Sequence, residues 1–312
     1  MQSGIILLDK KPGITSMACD NFIKRLLGTK KVGHSGTLDP FATGLLPVFV
    51  GDALKVMRYT DGYDKSYSCT AVFGRSTDTQ DRDGETTGGR LPTAEELDML
   101  EASDYEAVRK AFSEVASRTT QIPPKYSAKK IGGRKAYELA REGETVELPP
   151  ANVRIDRLEI RSIRRMGETF AADFEVSCSK GTYIRTICED VGDLLGFGAY
   201  AQDLRRTGSG PFSVEDAYTE EQLADMHGSG DDSFLLAREK ALSHMSSIDL
   251  SAKDAADVKL GRKISSAPYP DAPESGLFCG TFEGRVIAVL YRATENSSDI
   301  FRIDRMLAAD GI

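Results

Sequence analysis

No apolar run in this chain is long, and that constrains the fold more than any other feature. GIILLD (4–9), LLPVFVG (45–51) and YSCTAVFG (67–74) are short apolar runs bounded by Gly, Pro, Lys or Asp. Each reads as a strand closed by a turn. None approaches the roughly 20 residues needed to span a bilayer. Between such runs the apolar residues recur at helical spacing. From Ser16, read as an N-cap, the positions Cys19, Phe22, Ile23, Leu26 and Leu27 share one face and Gly28 supplies a stop. Helices are expected around Thr93–Ala102 and Tyr105–Arg118, strands near Val153–Ile163 and Phe170–Cys178, and an amphipathic helix in TYIRTICEDVGDLLG (182–196). A Gly/Ser-rich stretch, HGSGDDS, interrupts the helices that follow. From about Ile248 the β-like runs GLFCGTF, RVIAVLY and IFRID alternate with turns. A chain of 312 residues built this way divides into two unequal units, 1–247 and 248–312. It shows no internal repeat.

Charge and composition narrow the function. The N-terminus MQSGIILLDKKPG has no basic region leading into a long apolar stretch, so no export signal is read there. Five scattered cysteines without a C-x-x-C pair point to reduced thiols and a cytoplasmic protein. The three histidines have no metal-ligand spacing, and no metal is expected. The net charge of −8 argues at first against a nucleic-acid partner. Its distribution answers the objection, because residues 213–312 hold 10 Lys and Arg against 18 Asp and Glu, leaving 30 of each sign in the other 212 residues. Within that neutral part, KYSAKKIGGRKAYELAR carries Lys125, Lys129, Lys130, Arg134, Lys135 and Arg141 against Glu138 alone. The span 154–165 adds five arginines and two acids. A local basic face binds phosphates even on an acidic molecule.

The common cofactor signatures G-x-G-x-x-G, G-x-x-x-x-G-K-[ST] and G-x-S-x-G are absent. RSTDTQDRDGETTGG (75–89) resembles a calcium loop only superficially. Its first and twelfth ligand positions would be Thr79 and Arg90, which do not suit an EF-hand. What remains is GHSGTLDPFATGLLP (33–47). Here Asp39 precedes Pro40, which biases it toward extended or turn backbone, and Gly36 and Gly44 on either side permit tight geometry. An isolated Asp-Pro is usually only a turn.

This segment resembles the catalytic signature of the TruB family, the tRNA pseudouridine-55 synthases, a pattern close to GH-x-G-x-LDP-x-ATG-x-LP. Further motifs follow in the family's order. They are LDKKPGITS (8–16), DKSY ending at Tyr67, RSTDTQDRDG, QIPPKYSAKK, SKGTYIRT with Tyr183 and Arg185, and LRRT from Leu204. The likeness runs from about residue 4 to 212. In the first motif the proline is Pro12, one place later than usual, a departure that touches the turn.

The resemblance implies an α/β (α+β) pseudouridine synthase fold. Its central sheet should be mixed and mostly antiparallel with a cleft across the middle, followed by a small PUA-like β-rich domain. It makes Asp39 the catalytic carboxylate, Arg185 its guanidinium partner and Tyr67 the active-site tyrosine stacked on uracil, a contact worth roughly 1–3 kcal/mol. Tyr183 and Leu204 would line the uridine pocket. His34 would occupy the space that the flipped base leaves, and Asp81 would brace the network. Lys10, Lys129 and Lys130 are expected substrate contacts. The insertion at 91–141 is a candidate RNA-binding lid. The implied partner is the T stem-loop of tRNA, bound by a monomer with no membrane, metal or cofactor. Pseudouridine formation conserves atoms, so no redox or group-carrying cofactor is required. A carboxylate beside the ribose supports charge developing on the sugar as the glycosidic bond breaks. Three other readings stay open at this point: an N-glycosidase, a non-catalytic tRNA-binding or folding protein, and a guide-RNA-dependent synthase.

Overall fold

A computed structural model describes residues 2–127, 129–131, 134–135, 139, 148–295 and 297–307; the side chains of Lys130, Ile131 and Lys135 lie outside that description. The candidate lid at 91–141 therefore lies partly outside it as well. Among the described residues, no helix is long and apolar enough to cross a membrane.

The first run forms β1 (Gly4–Lys10) and leads into α1 (Ser16–Leu26). The cap of α1 differs from the sequence reading. Thr15, not Ser16, is the N-cap, and its hydroxyl accepts from the Ala18 N–H. The reason is that the Ser16 hydroxyl is engaged elsewhere: it accepts from Leu38 N at 2.9 Å and donates to Leu38 O at 3.1 Å. Residues that serve as a helix start thus tie down the segment that carries Asp39.

Next come β2 (Val32–His34), β3 (Thr43–Val50), a stretch of helical turns from Gly51 to Thr60, and β4 (Lys65–Phe73). The helices α2 (Ala94–Ala102) and α3 (Glu106–Ala116) precede β5 (Ile155–Met166) and β6 (Thr169–Cys178). Then follow α4 (Ile184–Leu195), β7 (Ala199–Ser209), β8 (Phe212–Ser213) and α5 (Glu220–Gly228). Eight strands make one sheet in the order β1-β3-β7-β4-β6-β5, with β2 beside β3 and β8 beside β7. Every ladder is antiparallel except β3–β7, where Thr43 and Gly44 pair in parallel with Arg205 and Arg206. This is the mixed, mostly antiparallel sheet that the family resemblance implies.

Burial explains the two sequence patterns. β1 and β3 read as continuous apolar runs because both their faces are covered. Ile6, Leu8 and Val48 pack on Cys19 and Ile23 of α1, and Ile5, Leu7 and Phe49 pack on a second cluster with Tyr59 and Val289. In β4 and β6 only one face meets helices. There Cys69, Ala71, Phe73, Phe170, Phe174 and Val176 pack on Val108 and Phe112 of α3 and on Ile184, Ile187 and Val191 of α4. The Phe, Val and Ile side chains among these each contribute about 1.5–3 kcal/mol on burial.

A second sheet of five strands follows α5. It comprises β9 (Ser247–Asp249), β10 (Ile264–Ser265), β11 (Leu277–Phe282), β12 (Arg285–Glu295) and β13 (Ser298–Met306), in the order β9-β11-β12-β13-β10, with α6 (Ala252–Lys259) against it. This small β-rich unit accords with the PUA-like fold expected at the C-terminus. Cys279, Val289 and Leu307 share a core cluster with Phe49 and Tyr59 of the large unit. The Tyr59 hydroxyl donates to Asp304.

Candidate active site

Three chain segments meet at the middle of the large sheet. The first is the loop between β2 and β3, which holds Asp39. Lys10, at the end of β1 and 1% exposed, donates its ammonium to the carbonyls of Lys11 at 3.0 Å, Pro40 at 3.1 Å and Ala42 at 2.7 Å. All three of its protons are directed at backbone, two of them at carbonyls just after Asp39, which fixes that side of the loop while Ser16 fixes the other through Leu38. Lys10, expected as a substrate contact, stands under the loop.

The second segment is the N-terminal end of α4. Arg185, 4% exposed, gives Nε to Asp39 Oδ2 at 2.9 Å, while the Asp39 side chain itself is 38% exposed. The other arms of the fork donate to Thr79 O and to Tyr126 O, the latter at 3.0 Å. A guanidinium held by this many acceptors presents one preset N–H to the carboxylate, so the outer carboxylate edge is oriented toward solvent. Asp81 Oδ2 lies 3.5 Å from Arg185 Nη1. Its other oxygen accepts from Thr79 Oγ1 at 2.7 Å and Asp83 N at 3.1 Å. Burial raises the Asp81 carboxyl above the usual range, against the pull of Thr79 and Arg185. Gln80 continues the network, accepting from Thr186 Oγ1 at 2.9 Å and donating to Glu189. Tyr183 caps α4 in extended backbone, and the Gln121 amide clamps its peptide through bonds of 2.8 and 3.0 Å.

The third segment is the β4–β7 ladder. Tyr67 of β4 lies directly across from Arg206 of β7. Its phenol feels the charges of both Arg206 and Asp39, and burial, the largest influence, raises its proton affinity. Leu204 lines a groove together with Phe41, Thr43 and Arg205. Asp39, Arg185, Tyr67 and Asp81, named from separate motifs, are thus brought to one place.

His34 stands at the edge of this region. Its Nδ1 lies 2.9 Å from Asp20 Oδ2, and Nε2 lies 3.3 Å from Thr37 Oγ1. Asp20 is buried, and its Oδ1 has no hydrogen-bond partner. Lys129 donates to Pro149 O at 3.3 Å. The Lys130 side chain, also expected at the substrate, lies outside the described residues.

Sequence reasoning missed Arg206, Asp20, Ser16 and Gln121. Only Arg206 left a signal. Two places beyond Leu204 in a strand, it falls on the inward face, where a charged residue is anomalous. The other three act through contacts distant in sequence.

Comparison with known proteins identifies the family. Residues 24–184 match the family model described as TruB family pseudouridylate synthase (N terminal domain), and residues 185–245 match the tRNA pseudouridylate synthase B C-terminal domain. The tRNA pseudouridine synthase B of Geobacillus kaustophilus is 40% identical over 261 residues, covering 83% of this chain and 89% of that protein. That of Pseudomonas syringae is 40% identical over 92% of this chain and 90% of its own length. That of Bacillus pumilus is 36% identical over 99% of both. Among solved structures, one described as "Crystal Structure of a Cbf5-Nop10-Gar1 Complex" shares the fold with a TM-score of 0.71 at 22% identity, covering 98% of this chain and 85% of that one. Another, "Structure of H/ACA RNP bound to a substrate RNA containing 2'-deoxyuridine", gives 0.70 at 21% identity, with coverage of 98% and 85%. With the two family models running from residue 24 to 245 and such relatives matched over most of their own length, the chain belongs to the TruB family of pseudouridylate synthases.

Proposed function

We infer that this protein is a tRNA pseudouridine synthase that isomerises the T-loop uridine at position 55. The observation that carries the reading is the Asp39–Arg185 pair, a half-exposed carboxylate aimed by an enclosed guanidinium 2.9 Å away. An RNA nucleotide can reach the acid without reaching its partner. The target base must leave its stack, at a cost of a few kcal/mol. Its ribose then faces Asp39, which supports positive charge at C1′ as the C1′–N1 bond breaks and the electron pair departs with the base. The base turns within the site, C5 bonds to C1′, and the C5 proton is removed.

Tyr67 stacks on the base, with Tyr183 and Leu204 at the walls of its pocket. His34 fills the vacated stack position. Its Nδ1 is committed to Asp20, which turns the Nε2 edge toward Thr37. Asp81 braces Arg185. Lys10 positions the Asp39 loop, and Lys129 and Lys130 meet phosphates. Residues 1–247 form the catalytic domain, 91–141 its RNA-binding lid and 248–312 the PUA-like domain, working as a cytoplasmic monomer. The fold is shared with a chain described in an H/ACA RNP, which keeps a guide-dependent mode as the second reading.

The test uses purified protein with unmodified tRNA and with its isolated T stem-loop, followed by mapping of pseudouridine. The expected outcome is one modified site in both RNAs without a guide and without free uracil. Free uracil identifies a glycosidase. Binding without product identifies a non-catalytic protein, and product only with added guide RNA the second reading.

A further inference from the structure

Among the described residues, Arg206 heads the fully enclosed side chains by size, at 1% exposure. It pairs across the ladder with Tyr67, so the two side chains leave the sheet on one side with Cβ atoms about 5 Å apart. Its Nε donates to Leu45 O at 2.7 Å, but Nη2 is buried without a hydrogen-bond partner. Among the described residues the one acid whose charge raises its hold on a proton is the Tyr67 phenol, and no carboxylate pairs with it. Two more cations stand close by. Burial lowers the proton affinity of Lys10 and Lys65, and the Arg206 charge lowers it further.

Two glycines keep room for this residue, one beside its guanidinium and one against its backbone. A Cβ on Gly36 would lie 3.0 Å from Nη1, and one on Gly44 only 2.3 Å from the Arg206 carbonyl oxygen. An enclosed cation without a counter-charge costs several kcal/mol, and an apolar side chain of equal volume would avoid that cost. The phenol beside it gives the charge a use. Burial raises the proton affinity of Tyr67, and Arg206 is the strongest influence opposing that rise.

We propose that Arg206 is a positioning residue for the last proton transfer, holding the Tyr67 oxygen toward the base and offsetting the negative charge that gathers on that oxygen as it takes the C5 proton. This rests on Tyr67 facing the flipped uracil. Once C5 has bonded to C1′ it still carries its original hydrogen. The C5–H bond breaks and its proton passes to the Tyr67 oxygen, while the phenol's own proton passes from that oxygen to N1. The C5–H electron pair forms the C5–C6 double bond, and the π pair of C6=N1 becomes the N1–H bond. The phenol is restored, with one proton exchanged for another.

The experiment is single-turnover kinetics on a T stem-loop whose target uridine carries hydrogen or deuterium at C5. Arg206→Gln is expected to slow the reaction about 10²-fold and to enlarge the deuterium isotope effect, with RNA affinity unchanged. Arg206→Lys, which keeps charge without the planar fork, is expected to regain about tenfold of that loss. Combined with Tyr67→Phe, Arg206→Gln is expected to add no further slowing. If Arg206→Gln does not fold, Arg206→Met repeats the test with the buried charge replaced by an apolar chain. A wild-type rate, an unchanged isotope effect, or full additivity with Tyr67→Phe overturns the proposal. Tyr67→Phe at full rate overturns the reading of Tyr67 itself. A slow Tyr67→Phe beside a fast Arg206→Gln overturns the role of Arg206 alone.

Discussion

At the scale of single residues, the site depends on one guanidinium whose three arms each have a named acceptor. Arg185 supplies Asp39, Thr79 and Tyr126 from one rigid plane. A lysine offers a point charge on a flexible stem and cannot reproduce three divergent contacts. Arg185→Lys is therefore expected to lower the rate of pseudouridine formation about 10²–10³-fold with RNA affinity unchanged, the loss seen when a preset donor is removed. Single-turnover kinetics with a separate binding measurement checks this, and a near-normal rate would show that Asp39 needs no such partner. The motif around Asp39 was visible in the sequence because its special residues are contiguous. Its pairing with Arg185 was accessible only through family resemblance, since no spacing rule links a loop before β3 to the first turn of α4. The Asp20–His34 pair left no trace at all, because a helix-face aspartate normally faces water.

At the scale of elements, α4 joins the site to an ionisable cluster. Glu189, held by Gln80, has its carboxyl pushed up from 4.5 to about 7 by burial first, then by Asp193 and Asp190, against weaker pulls from Gln80 and Lys125. Between these two values the unfolded chain has lost the proton and the folded chain retains it. Stability therefore falls as pH rises through that window and levels off above it. Glu189→Gln, which cannot ionise, is expected to reduce the drop in melting temperature between pH 5 and pH 8 by about 3 °C or more. An unchanged drop would mean that Glu189 is solvated in the folded state. Strand β7 shows why some elements were illegible. AYAQDLRRTGS has little apolar alternation, since register shifts after Ala201 and Arg206 break the period and its inward positions include Arg206. β1 and β3 were plain because both faces are buried.

At the scale of the whole molecule, two sheets share one apolar cluster. Phe49 and Tyr59 of the large unit meet Cys279, Val289 and Leu307 of the small one, and Arg238 donates to Leu307 O. The β-rich run after about Ile248 was readable from run lengths and turns, and the mixed sheet through the family resemblance. The shared cluster was not, because its members look like ordinary core residues of either unit. Charge is divided along the chain too, with the acids concentrated after residue 213 and the near-neutral remainder holding the cleft. On the proposed reading, this assembly aims one carboxylate at one ribose. The most direct measurement is pseudouridine yield from equal amounts of wild type and Asp39→Asn on tRNA under single turnover. Asn keeps the shape and can still face Arg185, but carries no charge. Abundant product from wild type and none from Asp39→Asn, with both binding the RNA equally, is the expected result; equal product from the two would contradict the account.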